Sequence, residues 1–107
     1  MAENPPNEWA ATDFDNNAES TAVKAAVTTG RHVVSCILAS YSAAATKLLT
    51  LKHGSTTVFT QYVVNSAVIP IPEGLRNANV NESVSAVLEA SGAGGTIGTV
   101  TLIGYTI

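Results

Sequence analysis

A chain of 107 residues with a formal net charge of −3, 46% hydrophobic and only 12% charged residues, has room for one domain and little room for a deep catalytic cleft. The acidic balance excludes the basic footprint of a nucleic-acid binder. So light a charge on a β-rich composition points to a surface that meets another protein rather than water.

The first segment, 1–20, carries Glu3, Glu8, Asp13, Asp15 and Glu19 with no Lys or Arg. It is also rich in Asn and Pro, so alone it buries too little apolar surface to offset its ordering entropy and is expected as an extended acidic arm. Trp9 and Phe14 lie inside it, and two large aromatics in a polar arm are anchors for a neighbouring subunit or for the chain's own core. The start has neither a basic n-region nor an apolar h-region and reads as no signal peptide. No apolar run reaches the length of a membrane-spanning helix. The expectation is a soluble protein made in the cytosol, with no membrane partner.

From Ser20 onward the pattern is that of strands. STAVKAAV is a modest one, and HVVSCILASYS is a long inner one whose faces are both apolar or small. TKLLTLKH and TVFTQYVV flank the turn HGST and predict a hairpin. SAVIPIP holds Pro70 and Pro72, which lack a donor N–H, so residues 67–71 are expected at a sheet edge and Ala67, Val68 and Ile69 as interaction residues. VNESVSAVLEAS alternates with period two and its valines decide for strand over helix. The closing TIGTVTLIGYTI sets Ile97, Thr99, Thr101, Ile103 and Tyr105 against Gly98, Val100, Leu102 and Gly104. These are seven strands without a helix, and the arm near Trp9 supplies a candidate eighth. The fold class is all-β, a compact antiparallel β-sandwich or jelly roll over 21–107.

The motifs carry no reaction. A phosphate-cradling glycine loop opens a helix, whereas GAGGTIG runs into a strand without a following Lys-Ser or Lys-Thr, so Gly92, Gly94 and Gly95 read as positive-φ positions of a hairpin connection. Gly98 and Gly104 mark places where another group comes close. His32 and His53 lack metal-pair spacing. Asp13 and Asp15 lack the Gly and Glu of a calcium loop. Cys36, the only cysteine, permits no intrachain disulfide and sits in an apolar run as a small hydrophobe. No nucleophile elbow is present. The expectation is a non-enzymatic protein with no catalytic, cofactor or metal residues.

Gly30-Arg31-His32 before a long strand, the LTLKHG hairpin, Pro70 to Gly74 and the closing GGTIGTVTLIGYTI together resemble small capsid decoration, or cement, proteins of tailed bacteriophages. The resemblance implies a structural protein of the virion that binds the major capsid protein on the outer surface of the shell and is assembled in the host bacterial cytoplasm. It also implies a homo-oligomer, trimer ahead of dimer. The acidic arm matches no motif of that resemblance, and the expectation that Trp9 and Phe14 dock on a neighbour rests on their chemistry alone. The alternative is a tail, baseplate or fibre module that recognises a host glycan, for which Tyr41, Tyr62 and Tyr105 are the stacking candidates if they form an exposed cluster. A receptor-binding jelly-roll trimer is disfavoured by the absence of disulfides.

Overall fold

In a computed structural model, residues 8–107 are described. They form eight strands: β1 (Glu8–Asn16), β2 (Ser20–Lys24), β3 (His32–Tyr41), β4 (Thr46–His53), β5 (Thr56–Val64), β6 (Ser66–Arg76), β7 (Val84–Leu88) and β8 (Ile97–Thr106). Two antiparallel four-stranded sheets result, in the orders β1-β8-β3-β6 and β2-β7-β4-β5. The chain pairs first strand with last, second with seventh, third with sixth and fourth with fifth. Consecutive nested pairs alternate between sheets, which is the double Greek key of a jelly roll.

The sequence periodicity explains the layers. Val34, Ile37, Ala39 and Tyr41 of β3 and Val100 and Leu102 of β8 point inward from the first sheet. Leu49, Leu51, Val63, Val84, Ala86 and Leu88 meet them from the second. Ile37, Leu49, Leu51, Leu88 and Leu102 are completely buried, so truncating any one to Ala removes about 2 to 5 kcal/mol. In β8 the glycine-bearing face is the inner one. A Cβ on Gly104 would run into the Val33 carbonyl oxygen and the Trp9 ring, and one on Gly98 would sit 2.9 Å from the Tyr41 ring.

The connections refine two expectations. Residues 8–16 do not project as an arm: Glu8 to Asn16 lie in unbroken register along β8, from Tyr105 back to Ile97, and supply the eighth strand. The rest of that expected arm, 1–7, lies outside the described residues, and Ser20 already begins β2. Second, the glycine cluster is no hairpin, because β7 and β8 belong to different sheets. It is an arch between layers in which Gly92 and Gly95 have φ of 83° and 86°, while Gly94 is not in the left-handed region. The hairpin expected at HGST is present. His53 pairs with Thr56 across the two-residue loop Gly54-Ser55, with φ of 59° at Gly54, and first-position glycine suits a two-residue turn. β6 is a sheet edge, as the two prolines require.

Candidate recognition surface

The registers of the first sheet align three rows on its outer face. They run Phe14, Thr99, Ser40, Ser66; then Thr12, Thr101, Leu38, Val68; then Ala10, Ile103, Cys36, Pro70. No Asp, Glu, Lys or Arg occupies any of these positions. On β1, Asp13 and Asp15 alternate with these positions and turn the other way, Asp13 Oδ2 accepting from the Thr21 N–H at 2.9 Å, while Glu8 continues the same face in the row beyond Ala10. Phe14 (64% exposed) and Val68 (72% exposed) rise on opposite edge strands. Between β8 and β6 lies a shallow groove of about 370 Å³ lined by Leu38, Ser40, Ser66, Val68, Thr99 and Thr101 together with Ala39 and Ala67. Thr12 and Thr101 exchange a 2.9 Å hydroxyl contact on the same face. The surface is therefore apolar ridges over a hydroxyl-bearing floor, able to exclude water while satisfying polar groups of an occupant.

Of the five residues singled out in sequence, this face brings Phe14 and Val68 together. Ala67 and Ile69 alternate with Val68 and pack against the core, and so does Trp9. Trp9 donates from Nε1 to Thr106 Oγ1 at 3.1 Å and meets His32 edge-on, with ring centroids 5.6 Å apart. His32 Nε2 is 2.7 Å from the Ala25 carbonyl and Nδ1 is 2.7 Å from Thr106 Oγ1. Only a donor satisfies a carbonyl, so the proton belongs on Nε2; Nδ1 then accepts from the Thr106 hydroxyl, which in turn accepts from Trp9. The network is closed and pins β1 to β3 and β8. Trp9 is thus engaged within its own chain.

His53 and Tyr41 serve packing. His53 is buried with no partner at Nε2. Burial pushes its pKa below the usual imidazole value, against the opposing pull of the Glu82 carboxylate. Tyr41 is buried, and its hydroxyl donates to the Glu89 carbonyl at 2.6 Å. Burial first, then the Glu89 charge, raises its pKa to about 12. Tyr62 stands on the second sheet, opposite Leu48, and Tyr105 on the first, opposite Glu8. The three tyrosines therefore form no exposed cluster, contrary to the condition set for a tyrosine-stacking site. Asp13 and Asp15 lie on a strand, not in a loop. Among the described residues no group of three or more His, Cys, Asp or Glu could hold a metal ion. The Gly95 N–H is already donated to Asn16 Oδ1 at 2.8 Å.

One concave site lies at the sandwich end, an open cleft of about 450 Å³ lined by Glu8, Trp9, Lys24, Val27, Thr29, Gly30, Thr106 and Ile107. The Lys24 ammonium sits 6.0 Å from the Trp9 ring centroid. Sequence reading singled out Trp9 but not this setting, because Lys24 and Thr29 reach it only through the β2–β3 crossing. The outer-face threonines were visible as one alternating set; which set faces outward follows only from the packing.

No family model matches the chain, and no curated protein matches it. Among solved structures it is similar to the CBM36-1 domain of a multidomain xylanase from the hindgut metagenome of Trinervitermes trinervoides, at 14% identity and a TM-score of 0.43 over 89% of this chain and 73% of that one. It is also similar to the carbohydrate-binding module CBM36 in complex with calcium and xylotriose, at 12% identity and a TM-score of 0.41 over 90% of this chain and 76% of that one. No residue role follows from either.

Proposed function

We propose that the protein is a non-enzymatic attachment module that works by docking the outer face of its first sheet on a partner surface. The observation that carries this reading is the charge-free set of rows between Phe14 and Val68. A face of this kind loses little by desolvation and gains from every apolar contact, which is what adhesion to another protein needs. The partner class that the sequence resemblance supplies is a bacteriophage shell, with the module as a cement on its outer surface. The test is occupancy on empty shells assembled from the major capsid protein encoded nearest to the gene. Saturable binding that is lost in Phe14→Ser/Val68→Ser supports the reading, and absence of binding refutes it.

A second reading, glycan recognition, is favoured by the end cleft. An aromatic ring beside Glu8, Lys24, Thr29 and Thr106 offers the mixture of stacking surface and polar partners that a sugar requires. It predicts binding on a glycan array that survives Phe14→Ser/Val68→Ser and is lost in Lys24→Ala. The two readings thus use different surfaces and separate in one set of variants.

A further inference from the structure

Toward Thr106 the outer face of the first sheet ends in the row Glu8, Tyr105, Val33, Arg76. Its one acid stands on β1 and its one base on β6, at opposite edges of the sheet and both exposed. Arg31 comes next on the same face, joined to Ile107 by backbone hydrogen bonds of 2.9 Å in both directions, so this corner of β3 and β6 holds both arginines of the chain. Against them stands Glu73 of β6. Two arginines and one glutamate leave the β6 side of the row net positive, while Glu8 leaves the β1 side negative. The relief of the face is diagonal as well. Phe14 rises on β1 at the far end. At the near end residues 71–74 bulge from β6 opposite the single residue Ser35, with φ of 70° at Glu73 and 78° at Gly74. A Cβ on Gly74 would run into the Val33 side chain, and this close cover is why Val33 is buried on an outer row.

We infer that two copies of the chain pair through these faces, about a two-fold axis that runs along the strands between β8 and β3. Such an axis lays β1 over β6 of the second copy and β8 over its β3, and it keeps every row at its own level. Glu8 then faces Arg76 of the second copy, and the symmetry makes the pair twice. Phe14 faces Ser66 and enters the groove of about 370 Å³ beside it. Val68 faces Thr12, and Ile103 faces Cys36, so a larger side chain meets a smaller one in each row. Each bulge comes down over β1 and β8 of the other copy, where no ridge stands. Sheets aligned in this way pack face to face at about 10 Å in sandwiches. The other two-fold axis in the plane of the face runs across the strands and lays β1 over β1 and β6 over β6, where Glu8 and Arg76 never meet. Charge therefore selects the first axis, and the face is its own complement: the occupant is a second copy.

The contact is small. Four strands about 4.8 Å apart, spanned from Glu8 to Phe14 of β1 at about 3.4 Å per residue, lie at the low end of specific interfaces, so the pair dissociates with a constant on the order of 100 µM. It covers the face when the chain is concentrated and yields it to a tighter occupant. On the docking reading, a shell and a second copy compete for this one face, and the monomer is the species that attaches. The pairing itself needs no shell, and it puts a two-fold dimer in place of the trimer that the resemblance implies.

Sedimentation of the full-length chain from about 5 µM to about 1 mM tests this. Wild type passes from monomer to dimer over that range. Glu8→Arg and Arg76→Glu each weaken the dimer about tenfold, because each sets like charges against one another at both ends of the row. Phe14→Ser weakens it too. A one-to-one mixture of the two charge variants restores wild-type association, and so does the double variant Glu8→Arg/Arg76→Glu. Both positions are exposed, so each variant keeps the wild-type melting temperature. A wild-type chain that stays monomeric to about 1 mM overturns the inference. So does a dimer indifferent to both reversals, a mixture that fails to associate, or assembly beyond the dimer. Failure of the docking reading shows separately, as wild-type chains that dimerise yet leave empty shells bare.

Discussion

Trp9 is the residue at which two roles separate. Its ring packs on the core and its indole N–H closes the Thr106–His32 network, so Trp9→Ala should cost about 2 to 3 kcal/mol and lower the melting temperature by roughly 10 °C. Trp9→Phe keeps most of the packing, loses the hydrogen bond and should cost about 1 kcal/mol. Thermal unfolding of both checks the order. His53 adds a pH dependence whose sign is fixed by its lowered pKa. The unfolded chain takes up a proton near pH 6.5 while the folded one resists until lower pH, so stability is constant above this window and falls as pH drops through it. His53→Gln should therefore show a flatter fall in melting temperature between pH 7.5 and 5.5 than wild type. Tyr41 gives the opposite sign: with its pKa raised to about 12, stability falls as pH rises above the unfolded value near 10. The ultraviolet difference between wild type and Tyr41→Phe should report its ionisation near pH 12, well beyond an ordinary phenol.

At the scale of elements, alternation made the strands legible, and all seven expected segments are strands. What alternation leaves open is which set of side chains faces inward. In β8 both sets are plausible by composition, and the glycines decide: only positions without a Cβ let Tyr41 approach at 98 and the Val33 carbonyl and Trp9 ring approach at 104. β1 shows the opposite failure. Its three acids and Asn16 lower its strand propensity, and only the register with β8 makes it an edge strand, a tertiary effect no local pattern contains. The same alternation splits Ala67, Val68 and Ile69, so a contiguous triplet reads as a site while one residue in it is exposed. Substitution should follow this split. Val68→Ser leaves the unfolding free energy within about 0.5 kcal/mol of wild type, as for exposed positions. Ile69→Ala, packed against the core, costs about 2 kcal/mol or more.

The whole molecule is a jelly roll because its strands pair in nested order, and that order could be expected only as one choice among sandwich topologies. Strand count was nearly complete in sequence; the pairing of residues 97 positions apart, as between Glu8 and Tyr105, was not. The charge-free face is a product of that topology, since its rows draw on β1, β8, β3 and β6 and no continuous stretch contains them. Its boundaries are chemical as well: charges gather at Glu8 and Arg76, in the row beyond Ala10 and Pro70 that also holds Tyr105 and Val33. The claim that this face does the docking is tested most directly by hydrogen–deuterium exchange of the full chain, free and bound to empty capsid shells. Added protection on β1, β8, β3 and β6 centred on 12–14, 38–40, 66–68 and 99–101, with the second sheet's outer strands unchanged by the shell, is the result predicted; protection confined to the second sheet or to the Trp9–Lys24 cleft would contradict it.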